Sequence, residues 1–341
     1  MEIALLYYMT LSITQTPMRL TLGGGGTDVI WYSRLHGGAW ISAALTLYVR
    51  VFVARRKDDD LIRTSLETTE VVDDYRKLTN PIVQECVRQA GVSSGVDIYA
   101  ISDASPRSGL GGSGAFEVGL LHALYTYKGK SITQLELAQQ AADIEIQRLK
   151  KPVGPQDQYI TALGGIRYFE IDKKGNVFQE RLKIHPEIIE RLQSNLLFFK
   201  TGMQHDTAAI LGDQKKQVET GGHSDSVIYA LDEIKELGRE VKMWLEKGRV
   251  DDVGSSFHTH WLIKRRLSEK VSNANIDAWY EEAIKAGALG GKIMGAGGGG
   301  WFVFYVPKQK NKFRDRMRQI GLEERNVQFD FTGTRVILNQ Q

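Results

Sequence analysis

Two carboxylates lie close together near the middle of this chain. Asp157 stands in Gly154-Pro155-Gln156-Asp157-Gln158-Tyr159, and Glu145 precedes it at helical distance. Carboxylates on either side of a Gly/Pro turn can converge on one site, one to hold a cation and the other to accept a proton. Taken alone, Asp157 also suits the N-cap of a short helix starting at Gln158. Upstream runs Ser105-Pro106-Arg107-Ser108-Gly109-Leu110-Gly111-Gly112-Ser113-Gly114-Ala115. Successive backbone N–H groups in such a loop can wrap an anion. Residues 115–127 contain no helix breaker except Gly119, so a helix follows and points its positive end at the same place. Ser113 puts a hydroxyl at the helix start, within reach of a phosphate or a metal. The plainer alternative is a flexible turn with a serine cap.

Two further glycine clusters frame these segments. Pro17-Met18-Arg19-Leu20-Thr21-Leu22 leads into Gly23-Gly24-Gly25-Gly26-Thr27-Asp28. A strand ending in four glycines and Thr-Asp exposes polar groups at a sheet edge. Gly25, Gly26, Thr27 and Asp28 suit the hydroxyls of a sugar, and Arg19 is a partner for Asp157. Residues 290–300 form the third cluster, ahead of an apolar strand. Side chains there are small enough for another loop to lie against it.

The elements that must position these groups alternate irregularly. Strands are expected at 13–22, 49–53, 96–100, 166–171, 196–200, 301–306 and 334–338. Asn80-Pro81 opens a helix that Gly91 closes. Thr133 and Glu136 form a capping box for a helix running to about Leu149. Long helical patterns cover 226–247, 256–269, 277–286 and 310–320. The mixed order argues for an α+β fold rather than a regular parallel sheet. A boundary falls near 170–195, giving domains at 10–180 and 181–341.

Composition excludes several classes. The 341 residues are 42% hydrophobic and 25% charged, ordinary for a soluble globular protein. A net charge of +3 from 44 basic and 41 acidic residues is too balanced for a general nucleic-acid binder. Lys264-Arg265-Arg266 reads as a solvated helix face. One cysteine, Cys86, allows no internal disulfide and reads as buried in a helix, which fits a reducing compartment. No segment reaches the ~18 apolar residues that span a membrane. Residues 1–9 read either as a ragged N-terminal extension or as an upstream start with Met9 the natural one. His258 and His260 have no third ligand spaced to help them, so they read as packed or solvated rather than as a metal site.

Gly109-x-Gly111-x-x-Gly114 also satisfies the dinucleotide fingerprint of a nicotinamide-dependent oxidoreductase. Its context fails, because Pro106 and Ser108 interrupt the approach and Glu136 belongs to a capping box. No Gly-Lys-Ser/Thr follows, so it is not a Walker loop either.

At four segments the sequence resembles the GHMP kinase superfamily. Residues 17–28 are similar to its first motif, 109–115 to its phosphate loop, and 292–299 to its C-terminal glycine motif. Gln156-Asp157-Gln158-Tyr159, and Thr201-Gly202 followed by Ile210-Leu211-Gly212-Asp213-Gln214, resemble its heptose 7-phosphate kinases. The resemblance implies a two-domain α+β fold, the N-terminal domain ribosomal-protein-S5-domain-2-like and the C-terminal ferredoxin-like. It implies ATP-dependent phosphorylation of the anomeric hydroxyl of a sugar or sugar phosphate in the cytoplasm, with heptose-, fucose- and galactose-type acceptors all in play. Asp157 matches the catalytic aspartate and Arg19 an arginine that pairs near it. Gly109, Leu110, Gly111, Gly112, Ser113 and Gly114 would line the phosphates, while Ser113 and Glu145 would hold Mg²⁺. Gly25, Gly26, Thr27, Asp28, Gly297 and Gly298 would meet the sugar. A homodimer is compatible with the resemblance, and nucleic acid and membrane are not expected partners. Arg34, His36, Arg107 and Lys200 are candidates for a distal substrate phosphate. The sequence departs from the family pattern in having Gly112-Ser113-Gly114 for the usual Ser-Ser-Ala, and in Pro155 before Gln156.

Overall fold

The computed structural model describes residues 10–203, 207–219 and 224–340, so the reading of residues 1–9 lies outside the described residues. Strand β1 (Leu11–Gly23) alternates buried and half-buried residues before running buried, except at Thr21, towards its glycines. Helix α1 (Ile30–His36) leads to β2 (Gly38–Arg55), much longer than the alternation at Val49, Val51 and Val53 suggests. Its first half is buried on both faces, which erases the period-two pattern. There follow β3 (Ile62–Ser65), β4 (Thr69–Val72), α2 (Pro81–Ala90) and β5 (Val96–Ser102). Asn80 caps α2 through its side chain, and Gly91 closes the helix in the left-handed region.

Helix α3 (Gly112–Tyr127) begins inside the second glycine cluster. Its one internal breaker has a packing reason. A Cβ on Gly119 would stand 2.8 Å from Oγ1 of Thr16, and Thr14 of β1 donates to the Gly119 carbonyl at 2.8 Å. Helix α4 (Gln134–Ala142) carries the expected capping box and continues as a π-helical turn, Asp143–Arg148. Then come α5 (Gln156–Leu163), β6 (Ile166–Ile171), β7 (Val177–Arg181), α6 (Pro186–Asn195), β8 (Leu196–Lys200), α7 (Thr207–Glu219), α8 (Ser224–Glu246), α9 (Val250–Arg265) and α10 (Ala274–Lys285). The third glycine cluster opens as β9 (Gly290–Ile293), a strand rather than loop, and leads to β10 (Trp301–Tyr305). Helix α11 (Lys310–Gln319), β11 (Glu323–Arg325) and β12 (Arg335–Gln340) end the chain.

Two sheets result. The larger has the order β12-β1-β2-β5-β3-β4, with β6 beside the first half of β2 and β7 beyond it. The smaller is antiparallel in the order β11-β8-β10-β9. Its core is aromatic, with Phe302 and Phe304 stacked at 4.8 Å and Phe313 edge-on to Phe304. The last strand departs from the expected division at residue 181. β12 pairs antiparallel with β1, Leu11 opposite Gln340, so the chain's end returns to the first sheet. Backbone pairing across more than 300 residues leaves no local mark in sequence. A continuous core joins both halves, running from Val51 and Leu120 to Phe257 and Val303.

Candidate active site

The β1 strand and α5 bring Arg19 and Asp157 together as a bidentate pair. Arg19 Nε donates to Oδ1 at 2.7 Å and Nη2 to Oδ2 at 3.1 Å. A guanidinium fork on a carboxylate fixes both distance and plane. Arg19 is only 5% exposed, while the Asp157 side chain keeps 23% of its surface in solvent. The pair therefore has a buried anchor and an open reactive end.

The phosphate loop lies directly against this pair. Arg19 Nη1 donates to the carbonyl of Gly109, and its backbone N–H donates to that of Leu110 at 2.9 Å. Gly111 has φ 72 and ends the loop as the N-cap residue of α3. A Cβ there would stand 2.9 Å from Arg19 Cγ and 3.1 Å from Asp157 Oδ2. On Gly114 it would stand 2.8 Å from Asp157 Cβ. Gly112, Ser113 and Gly114 form the first turn of α3 rather than part of the loop, so their N–H groups are the unpaired donors of a helix start. Leu110 is fully buried and anchors the loop through its side chain.

Beneath the loop lies the third cluster. A Cβ on Gly109 would meet the Met294 carbonyl at 2.4 Å, and one on Gly300 the Ser108 carbonyl at 2.3 Å. Gly297 and Gly298 instead face the turn at Val271, where the Gly298 N–H donates at 2.8 Å. Their position is explained by this packing, in contrast to the substrate contact expected of them.

The motif-one turn divides its residues by role. Thr27 is fully buried and its hydroxyl serves Gly24 and Ala39 backbone groups. It holds the turn rather than offering a group to a ligand, which corrects its expected place at the sugar. Gly25 and Gly26 are half-buried beside it. Asp28 is different. Its Oδ2 accepts from the Gln156 N–H at 3.0 Å, while its Oδ1 is buried without a partner. Burial, reinforced by the nearby Asp157, pushes its carboxyl up to about 6 against the opposing Gln156 hydrogen bond. A buried acceptor left unpaired marks a place for a ligand donor.

That shift has a measurable consequence. The folded carboxyl keeps its proton up to about pH 6, whereas the unfolded one loses it near 3.8. Stability therefore falls as pH rises from about 4 to about 6 and is level above that. Asp28→Asn removes this slope. Urea unfolding across pH 4–8 should find the variant more stable than the native chain by up to about 3 kcal/mol at neutral pH, with no gain at pH 4. A variant destabilised at neutral pH would contradict the assignment.

Glu145 is 4% exposed at the π-helical turn. Its Oε1 takes Lys151 at 2.8 Å and its Oε2 takes the Gln158 amide. Ser113 is exposed at the start of α3. Glu117, one turn along α3, is fully buried with neither oxygen partnered. Burial and the adjacent Glu145 raise its carboxyl well above the usual range. Among the described residues no three His, Cys, Asp or Glu side chains converge as a metal cluster. His258 stacks on Tyr280, with Nδ1 at 2.6 Å from its hydroxyl, as expected of a packed residue.

Other basic residues were legible only in part. Lys264, expected on a solvated face, is buried, and Nζ donates to the carbonyls of Ile293 and Gly295 beneath the phosphate loop. Arg265 and Arg266 are exposed as expected. Burial, then Arg19, brings the Lys264 ammonium down to about 7. Lys292 is likewise buried, bonded to the Leu22 carbonyl at 3.2 Å and His260 at 3.0 Å. The stripe Phe257, Trp261, Lys264 at helical spacing was the available signal for Lys264. The four candidates for a distal phosphate do not act together. Arg34 holds the Lys174 carbonyl, His36 stacks on Tyr32, Lys200 covers Trp301, and Arg107 belongs to the phosphate loop.

Comparison with known proteins bears on this geometry. Residues 77–165 match the GHMP kinases N terminal domain, and residues 245–321 match the GHMP kinases C terminal domain. The chain belongs to the GHMP kinases. Its first matched region holds the phosphate loop and Asp157, and its second holds the loop packed beneath them. This GHMP kinase is 29% identical over 335 residues to the D-glycero-alpha-D-manno-heptose 7-phosphate kinase of Campylobacter jejuni, covering 94% of this chain and 96% of that one. A putative sugar kinase from Campylobacter jejuni superposes with a TM-score of 0.76 at 25% identity, covering 97% of this chain and 99% of that one. A D-glycero-D-manno-heptose 1-phosphate kinase from Bacteroides thetaiotaomicron gives a TM-score of 0.77 at 23% identity, over 96% and 99% of the two chains. At that identity the last likeness speaks for the fold. The family uses ATP as phosphate donor. The nicotinamide reading of Gly109–Gly114 falls accordingly, since nine residues separate the end of β5 from the start of α3. Among the described residues no helix is long and apolar enough to cross a membrane.

Proposed function

We propose that this GHMP kinase transfers the γ-phosphoryl group of ATP to the anomeric hydroxyl of D-glycero-D-manno-heptose 7-phosphate, giving the 1,7-bisphosphate. The observation that carries the reading is the contact of the Arg19–Asp157 pair with Gly111 and Gly114. It puts a carboxylate against the loop whose N–H groups would cradle the phosphates.

Phosphoryl transfer asks a protein mostly to position partners and neutralise charge. Asp157 accepts the proton of the anomeric hydroxyl as its oxygen bonds to the γ-phosphorus, and the bond to the β,γ-bridging oxygen breaks to release ADP. Arg19 holds the carboxylate in plane. Asp28, with its unpartnered Oδ1, accepts from another sugar hydroxyl and fixes the ring. The N–H groups of residues 112–114 and the dipole of α3 stabilise the departing charge. Ser113 and Glu145 are the residues that would hold Mg²⁺, and the unpaired oxygens of Glu117 and Gln158 beside Glu145 fit an oxygen-seeking cation. The metal, when bound, neutralises phosphate oxygens. An ATP-fed reaction and one buried thiol suit the cytoplasm.

The full-length likeness to the Campylobacter kinase supports heptose 7-phosphate. A second reading, a fucose-type acceptor, draws on 23% identity over 91% of this chain to an L-fucokinase/L-fucose-1-P guanylyltransferase of Bacteroides fragilis, of which the match spans 36%. A coupled ADP-release assay over heptose 7-phosphate, free heptose, fucose and galactose separates them. Heptose 7-phosphate should exceed every free sugar in kcat/KM by about 10²-fold or more, since a site built for a polar group rejects analogues lacking it. Equal turnover of fucose or galactose would overturn the heptose assignment.

A further inference from the structure

Gly109 of the phosphate loop is backed by cationic side chains from two directions. Arg19 Nη1, from β1, donates to its carbonyl. Gly295 lies against its backbone, where a Cβ on Gly295 would stand 2.6 Å from Gly109 Cα. Lys264, in the last turn of α9, donates from Nζ to the Gly295 carbonyl and, at 3.2 Å, to that of Ile293. One hydrogen bond and one backbone contact therefore join Lys264 to the phosphate loop.

A lysine is a costly choice for that bond. Lys264 is buried, and the N–H groups of an uncharged amide would serve two carbonyls with no ion to desolvate. Its neighbours offer no counter-charge. Arg19 faces it from β1, with its own charge matched by Asp157. Lys292 of β9 and His260, one turn back on α9, stand 3.0 Å apart, Lys292 lying over the Phe257 ring at 4.7 Å. From β10 comes only the Tyr305 hydroxyl, bound to Asp251. On α8, Glu233 is taken by Arg266, and in the turn Glu269–Val271, Lys270 is taken by Asp213. Arg191 of α6 holds the Gly248 carbonyl at the far end of α9. Among the described residues no carboxylate bonds Lys264, Lys292 or His260. Burial, then these positive neighbours, keeps Lys292 and His260 well below their usual ranges and Lys264 at about 7. Before nucleotide binds, all three thus carry little charge above neutral pH.

The phosphates of a nucleotide bring several negative charges to the loop that Gly109 belongs to, and an anion favours the charged form of a nearby amine. We propose that Lys264 is a positioning residue for the nucleotide, taking a proton from solvent as the phosphates seat on the loop. The ammonium then holds Gly295 against Gly109 and adds its charge to phosphate binding. One proton moves from water to Nζ, and no bond to the nucleotide forms. The inference rests on the kinase reading for the identity of the anion.

Calorimetry of ATP–Mg²⁺ binding in buffers of different ionisation enthalpy counts the protons taken up. The native chain should take up little at about pH 6, where Lys264 already holds its proton, and the larger part of one at about pH 8. Its affinity should be level below about pH 7 and fall by about tenfold towards about pH 9, as the proton becomes harder to supply. Lys264→Met keeps the buried stem and removes the amine. It should bind about tenfold more weakly than the native chain at about pH 6.5, nearly as well at about pH 9, and without proton uptake at either. The nucleotide's own titration is common to both proteins. A structural role alone would weaken binding by the same factor at every pH, and that result overturns the proposal. Uptake that survives in Lys264→Met but is lost in Lys292→Met also overturns it, by moving the proton to Lys292. If Lys264→Met does not fold, the native chain decides, and binding without proton uptake at about pH 8 overturns the proposal. In each of these cases ATP still binds and the kinase reading stands. A native chain that binds no ATP at any pH overturns the kinase reading instead.

Discussion

Asp157→Asn should lose about 10²–10⁴-fold in turnover while still binding ATP, the range that a positioned base contributes. An amide keeps the shape of the carboxylate but accepts no proton at neutral pH. It also turns one acceptor of the Arg19 fork into a donor, setting an N–H against Nη2 where Oδ2 stood at 3.1 Å. Arg19 is nearly buried, so its charge is left without a full partner and the variant should melt at lower temperature. The cost stays below that of a fully buried pair broken by half, because Asp157 itself reaches solvent. Nucleotide affinity should hold, since the loop presents backbone N–H groups that the substitution leaves in place. ATP affinity by calorimetry and initial rates by coupled ADP release separate the two effects. A variant that turns over at near-native rate would remove Asp157 from the role of base.

The chemistry was legible where it is carried by residues of rare spacing. Three glycine clusters and one Asp in a Gly/Pro turn pointed to a single site, and the fold brings two of the clusters and Asp157 into contact. Arg19 was legible as a partner because strand β1 ends in the first cluster. What stayed hidden depends on burial. Thr27 and Asp28 are neighbours of similar polarity, yet one hydroxyl is saturated by backbone while one carboxylate oxygen is orphaned. Nothing local in sequence distinguishes them. Lys264 stands in a basic triplet that reads as solvated, and only the packing of α9 under the third cluster turns it inward. Glu117 sits in an apolar helix whose hydrophobic residues appear on every side, and no pattern in the sequence singles it out. The long pairing of β12 with β1 escaped for the reason that register between distant segments is set by the assembled core.

The contact between loop and base makes one glycine the most sensitive position outside the reacting groups. Gly111 has φ 72, a conformation that costs any residue with a Cβ about 1–2 kcal/mol. Strain is the smaller part of the effect. An alanine methyl would stand 2.9 Å from Arg19 Cγ and 3.1 Å from Asp157 Oδ2. Arg19 has no room to retreat, tied as it is to Asp157 and to the carbonyls of Gly109 and Leu110. Asp157 must therefore swing away from the loop, or the loop must lift from β1. Either motion separates the base from the phosphates, and a misplacement of about 1 Å costs about 10²-fold. Gly111→Ala should thus lose about 10²-fold or more in kcat/KM, with ATP affinity falling as well, in contrast to Asp157→Asn. Gly112→Ala is the control, because a Cβ there meets only Met18 Cε at 3.8 Å. It should keep ATP affinity within a few-fold of native. Equal losses in the two alanine variants would mean that the loop, rather than its contact with the Arg19–Asp157 pair, sets the rate.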